Sequence, residues 1–213
     1  MVLVDDLGIV RFVCLFVGMH FQEVDAVAID EHRVGLVVDE AHACKLILAL
    51  FTYQSNRIVN ARHIYILGAR SSTHLAGYLH FYMQMMFENV TLVQSTAAGE
   101  IFEQLFRCGE GDVMITLSFP RYSRDTINAA RFAKSRGVEI VAITDQEQSP
   151  VAQMSEAALL APSEMLSFID SMTAPLSLIN ALLVGIATKM GKDVTETFTR
   201  LERLWEQYEV LGG

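Results

Sequence analysis

From about Arg62 onward the chain alternates short apolar runs with longer segments whose apolar residues recur every three to four positions. That alternation limits the available folds more than any other feature. The runs are Ile64 to Gly68, Val90 to Val93, Asp112 to Leu117, Glu139 to Thr144 and Ala157 to Ala161, each bounded by polar residues or glycine. A strand that is apolar on both sides must be covered on both sides, so these runs predict a parallel sheet of about five strands inside a doubly wound α/β domain. The segments between them read as helices, through Leu75, Leu79, Tyr82 and Met86, then Ile101, Leu105 and Phe106, then Ile127, Ala130 and Ala133. Gly137 is placed to end the third, and Ser149-Pro150 predicts the N-cap and first residue of a fourth. An apolar helix is expected from Thr173-Ala174-Pro175 to Gly191. A last amphipathic helix follows with Val194, Phe198, Leu201, Trp205 and Tyr208 on one side, a stripe that packing within the domain explains more simply than a subunit interface does.

With 213 residues, 52% of them apolar, the chain can fill one sizeable core. Its formal charge of −9 opposes a general attraction to nucleic acid or to an anionic membrane. The apolar segment Leu7 to Met19 contains Arg11 and falls well short of the roughly 20 residues a membrane helix needs, and Asp5 and Asp6 stand where a secretory signal carries positive charge. Cys14, Cys44 and Cys108 lack any CxxC spacing and read as free thiols. A cytoplasmic protein is expected, without membrane association. Residues 1–56 hold eight acids against three bases, a poor surface for DNA, and form an uncertain segment ahead of the domain at 57–213. Within that segment Val34 to Val38 reads as a strand and His42 to Phe51 as a helix.

In an open α/β sheet, ligands bind where strands end and the following helices begin. Two such junctions concentrate polar chemistry. The first is Gly68-Ala69-Arg70-Ser71-Ser72-Thr73, where glycine permits a tight exit and the hydroxyls either cap the helix or hold an anion. The second is Leu117-Ser118-Phe119-Pro120-Arg121-Tyr122-Ser123-Arg124-Asp125-Thr126, where Ser123 reads as an N-cap or as an anion ligand. Together they bring Arg70, Arg121 and Arg124 close to several hydroxyls in an acidic protein, which points to a bound dianion. Asp145, after the fourth strand, either accepts bonds from a sugar hydroxyl or caps its turn, and Glu164 is a further carboxylate at the same edge. His63, His74 and His80 share no metal-binding face, so neither a metal nor a cofactor is expected, and Met83, Met85 and Met86 read as adaptable core filling.

These two loops, with Ala142-Ile143-Thr144-Asp145 and Ser149-Pro150-Val151-Ala152, make residues 56 to 191 resemble the sugar isomerase (SIS) domain, and more closely the effector domain of RpiR-type transcriptional regulators. The resemblance implies a flavodoxin-like three-layer sandwich that binds phosphorylated sugars, and carries the phosphate-binding role onto Ser71, Ser72, Ser118 and Ser123. The sequence departs from the pattern. The general Gly-x-Gly-x-Ser of the first loop has Arg70 at its second glycine; the Ser-x-Ser-Gly-x-Ser/Thr of the second has Pro120 at a serine and Arg121 at the glycine. A phosphate would then be held more by charge and less by amides, or the ligand is a sugar acid or another anionic metabolite. Two functions follow. One is a non-catalytic effector domain lacking its DNA reader, binding no DNA alone and acting as a dimer or tetramer. The other is an aldose-ketose sugar-phosphate isomerase, for which Glu164 is the nominated base.

Overall fold

Along the first strand, β1 (Ile64–Gly68), Ile64 and Ile66 face one way while Tyr65 and Leu67 face the other, and all five residues are buried. The strand period of two therefore feeds two separate apolar clusters, one on each face of the sheet. The computed structural model describes residues 51–94, 99–156, 158–163, 165–166 and 169–210. In it β1 pairs with β2 (Val90–Val93) and β3 (Val113–Leu117), β3 pairs with β4 (Glu139–Thr144), and β4 with β5 (Leu159–Leu160), all parallel. The five-stranded order β2-β1-β3-β4-β5 is the flavodoxin-like one expected from the sequence.

One face is covered by α1 (Ser72–Met86), by α4 (Thr173–Met190) and by a leading helical segment over residues 51–59. Leu75, Leu79 and Met83 of α1, Ile179 and Leu182 of α4, and Phe51 and Ile58 of the leading segment meet Ile64, Ile66, Ile115 and Ile143 of the sheet. Each fully buried aliphatic side chain contributes about 1.5–3 kcal/mol relative to exposure. α4 is long and apolar enough to cross a membrane, but here its Leu178, Ile179, Leu182 and Ile186 are core residues. The other face packs Ile101 of α2 (Glu100–Gln104) and Ala129, Ala130 and Ala133 of α3 (Arg124–Ser135) against Tyr65, Leu67, Met114 and Ile140. Small alanines let α3 lie close to the sheet, and Gly137, at φ 84°, ends its last turn.

At the edge of the sheet where the strands begin, Asp112 is buried and takes a two-pronged bond from Arg62, at 2.8 and 2.9 Å, plus the Gly109 amide at 2.9 Å. These contacts tie the entry of β1 to that of β3. Burial pushes the Asp112 carboxyl up, but the Arg62 guanidinium and the amide outweigh it and hold the group below the usual carboxylate range.

Several expectations need correction. Ser149-Pro150 opens no fourth helix: Ser149 Oγ does accept the Ala152 amide at 3.2 Å, but the turn lasts only Ala152–Met154 before the chain turns toward β5. Of the strand expected over Ala157 to Ala161, Leu159–Leu160 pairs with Ile143 and Thr144 and the Ala161 amide donates to the Thr144 carbonyl at 2.8 Å, while Ala157 lies outside the described residues. Phe106 is 68% exposed rather than core, lying beyond the short α2. In α5 (Lys192–Gln207) Val194 is buried, Phe198, Leu201 and Trp205 are half-buried, and Tyr208 beyond the helix is exposed. A feature absent from the sequence reading is a short antiparallel hairpin, β6 (Met165–Leu166) with β7 (Ile169–Asp170). The strand expected over Val34 to Val38, all but the end of the helix expected over His42 to Phe51, the Leu7 to Met19 segment, Cys14, Cys44 and Glu164 lie outside the described residues. Cys108 is a buried free thiol.

Candidate anion-binding cleft

The chain leaves β1 toward β2 and returns to β3 on the other side, so the loops after β1 and β3 part and leave a crevice between them. Gly68 and Leu117, the last residues of these strands, are register partners, which places the two loops side by side. Glycine is required at 68, since a Cβ there would stand 2.5 Å from the Ser72 carbonyl oxygen and 3.0 Å from Ala76 Cβ. That close approach seats α1 on the sheet and puts Ser71 and Ser72 at the crevice.

The two residues at which the sequence departs most from its resemblance, Arg70 and Arg121, both hold left-handed backbone, φ 59° and 66°. For an L-residue this conformation costs about 1–2 kcal/mol. The loops thus hold a backbone that favours glycine at two positions occupied by arginine. Retained strain of this kind is a pointer to function when, as here, it borders a cleft.

The first loop spends its amides internally: Ser72, Thr73 and His74 donate to the carbonyls of Ala69, Arg70 and Ser71 at 3.2, 3.1 and 3.4 Å. Thr73 Oγ1 donates to the Gly68 carbonyl at 3.0 Å. Neither Ser71, before α1, nor Ser123, before α3, makes a side-chain capping bond, so the simple helix-cap explanation of these hydroxyls is not realised. At α3, by contrast, Ile127 is the first amide to find a carbonyl, that of Ser123 at 3.1 Å. The amides of Arg124, Asp125 and Thr126 find no backbone acceptor among the described residues. This end of the cleft keeps the partial positive charge of a helix N-terminus.

A pocket of about 20 Å³ is enclosed by the ends of both loops, with Ser71, Ser72, Ser118, Arg121, Ser123 and Thr126 on its wall. Thr126 is buried, and its hydroxyl has no hydrogen-bond partner among the described residues. Beside it opens a cleft of about 700 Å³ that shares Arg70, Arg121 and Ser123 and adds Gly68, Tyr122 and Arg124. Of the nine ligand-binding candidates from the sequence (Gly68, Arg70, Ser71, Ser72, Ser118, Arg121, Ser123, Arg124 and Asp145), all but Asp145 therefore line one cavity or the other.

The ninth, Asp145, lines neither. Its Oδ1 accepts the Tyr122 hydroxyl at 2.8 Å and the Thr144 hydroxyl at 3.1 Å, while Gln146 donates to the Tyr122 oxygen at 3.0 Å. The single Thr144 hydroxyl proton is shared between Asp145 and the nearer Ser118 carbonyl, at 2.6 Å. The loop after β4 thus braces the loop after β3. Burial, joined by the Asp145 carboxylate and opposed by the Gln146 amide, pushes the Tyr122 hydroxyl above its ordinary range.

One cleft residue escaped the sequence reading. Asp170, on the β6–β7 hairpin, accepts from Arg121 Nη2 at 3.0 and 3.3 Å and from Ser71 Oγ at 3.0 Å. No motif surrounds it, and only the fold of the hairpin brings it to the two loops.

Comparison with known proteins agrees with this fold. The SIS domain model matches residues 57–185. Among curated proteins, glutamine–fructose-6-phosphate aminotransferase (isomerizing) of Pyrobaculum aerophilum is 27% identical over 146 residues, covering 67% of this chain but only 24% of that much longer protein. Among solved structures, the sugar isomerase domain of an RpiR transcription factor from Sphaerobacter thermophilus superposes with a TM-score of 0.68 at 24% identity, covering 73% of this chain and 86% of that one. The Vibrio vulnificus NanR protein complexed with ManNAc-6P gives 0.65 at 17% identity, covering 78% and 62%. Phosphoheptose isomerase of Neisseria gonorrhoeae gives 0.56 at 17%, covering 70% and 91%. These structures share the fold and include a transcription-factor domain and an isomerase. With the family model matched over more than half of its length and the strand order and crevice in place, this chain belongs to the SIS domain family.

Proposed function

We propose that this chain is a non-catalytic effector domain of the RpiR type, whose ligand is a phosphorylated sugar or a closely related anionic carbohydrate. The observation that carries the reading is the convergence of two left-handed arginines with Ser71, Ser72, Ser118 and Ser123, whose hydroxyls are not used as helix caps, at the α3 N-terminus. Donors of this kind bind and orient an anion. Isomerisation also needs a base held beside the sugar carbons. The two carboxylates that line the cavities among the described residues are Asp125, in the first turn of α3, and Asp170, whose oxygens are engaged by Arg121 and Ser71. The similarity to an RpiR regulator domain and to NanR, solved with a phosphorylated sugar, supports the same reading.

In such a sensor, ligand occupancy biases an oligomer between two states through differential affinity. The exposed Phe81, Phe102, Leu204 and Tyr208 supply apolar surface for assembly into a dimer or tetramer. The acidic residues 1–56 support a chain that does not bind DNA alone.

The test is a thermal-shift screen with phosphorylated sugars and sugar acids, followed by an isomerase assay on each binder. Stabilisation without turnover is expected. Turnover would make the chain an isomerase, and no stabilisation by any of the anions would overturn the site. A gel shift with duplex DNA is expected to be negative, and salt-sensitive binding would refute that part.

A further inference from the structure

The carboxylate of Asp170 sits where an incoming anion would have to go. Its two bonding partners, Arg121 and Ser71, come from the two different strand–helix loops, and its Oδ2 lies 3.0 Å from the hydroxyl and 3.3 Å from the guanidinium. A guanidinium and a hydroxyl converging on one oxyanion are the elements of an anion subsite, here occupied by the protein itself. The Asp170 side chain is turned inward, 18% exposed against 52% for Arg121, and it lines the same small pocket as the unpartnered, buried Thr126 hydroxyl. Arg70, across the pocket, has no ion-pair or side-chain hydrogen-bond partner among the described residues. The pocket therefore holds one cation already neutralised from within and one that is not.

We propose that Asp170 is an internal competitor for the anion subsite formed by Arg121 and Ser71, and that a bound phosphate displaces it. The inference rests on the phosphate reading above and adds what regulates access to that site. A phosphate dianion carries twice the charge of the tethered carboxylate and has enough oxygens to engage Arg121, Arg70 and the serine hydroxyls together, whereas among the described residues Asp170 engages only Arg121 and Ser71. Displacement also removes the tie that Asp170 makes between the β6–β7 hairpin and the two loops. Asp170 thus sets the site's affinity below what its donors would reach alone, and couples filling of the site to release of the hairpin.

The test is calorimetric titration of the full chain with inorganic phosphate at constant ionic strength, for the wild type, Asp170→Asn, Arg121→Gln and the double variant. Asp170→Asn is expected to bind phosphate roughly five- to thirtyfold more tightly, the combined worth of a half-exposed ion pair and a hydroxyl bond. In the Arg121→Gln background the same change is expected to give less than about a threefold gain, since the main contact is already gone. Affinity of Asp170→Asn equal to or below that of the wild type overturns the proposal and leaves the phosphate site standing. A gain fully retained without Arg121 also overturns it, because the effect would then be long-range charge alone. Phosphate binding to neither the wild type nor Asp170→Asn overturns both the competitor and the phosphate site.

Discussion

Replacing Arg70 by glycine is expected to make the protein more stable and its ligand binding weaker. Arg70 sits at φ 59°, and its exposed side chain makes no hydrogen bond or ion pair among the described residues, so removing it breaks none of theirs. Relief of the left-handed strain returns about 1–2 kcal/mol. Against this, glycine widens the unfolded ensemble, costing about 0.4–1 kcal/mol. The balance lies between about zero and a gain of about 1.6 kcal/mol, which for a domain of this size raises Tm by up to about 6 °C. Binding moves the other way, since losing a charge-assisted bond costs about 1.5–3 kcal/mol, or roughly ten- to a hundredfold in Kd. Arg70→Ala separates the two effects: it keeps the strain, so its Tm is expected to stay near that of the wild type, while its affinity falls as far as that of the glycine variant. Urea denaturation and calorimetry with the tightest phosphosugar from the thermal-shift screen supply both readings. A glycine variant that melts lower and binds as well as the wild type would refute the idea that the loop tolerates strain for the sake of a guanidinium.

Gly68→Ala is expected to lose about 1–3 kcal/mol of stability in urea denaturation and to bind ligand more weakly, because its methyl group would press 2.5 Å from the Ser72 carbonyl oxygen and push α1 off the sheet. Tyr122→Phe removes the bonds to Asp145 and Gln146 and is expected to cost about 0.5–1.5 kcal/mol by the same measurement, with a smaller loss of affinity as the second loop loosens. Asp112, held below the usual carboxylate range by Arg62 and the Gly109 amide, stabilises the fold fully above its unfolded pKa, and that stability is lost as pH falls through its lower folded pKa. Asp112→Asn is accordingly expected to be less stable than the wild type by a constant amount from about pH 7 to about pH 5, with the gap closing below about pH 4, as followed by Tm against pH.

The difference between Arg121 and Asp170 shows how far the sequence reaches. Arg121 lies next to a strand end and inside a recognisable loop pattern, so strand periodicity alone delivers it to the crevice. Asp170 lies on a hairpin whose strands are two residues each, too short for any period to register, and its role depends on distances to Ser71 and Arg121 some 99 and 49 positions away. The failed helix after Ser149 teaches a related point. Its capping chemistry is present and forms, but a cap starts a helix only where the chain has room to continue one, and the path to β5 removes that room.

Local and periodic information, namely apolar runs, three-to-four spacing and the hydroxyl-rich strand ends, determined the α/β class, the positions of the first four parallel strands and eight residues of the cleft, because burial on a sheet demands those patterns wherever they occur. The tertiary structure alone decided three things: that the serines before α1 and α3 are not caps, that Asp145 is a brace rather than a cavity residue, and that a carboxylate from a distant hairpin closes on Arg121. Each of these depends on which of several possible partners lies within hydrogen-bonding distance, and that choice is made only when segments far apart in the chain are packed together.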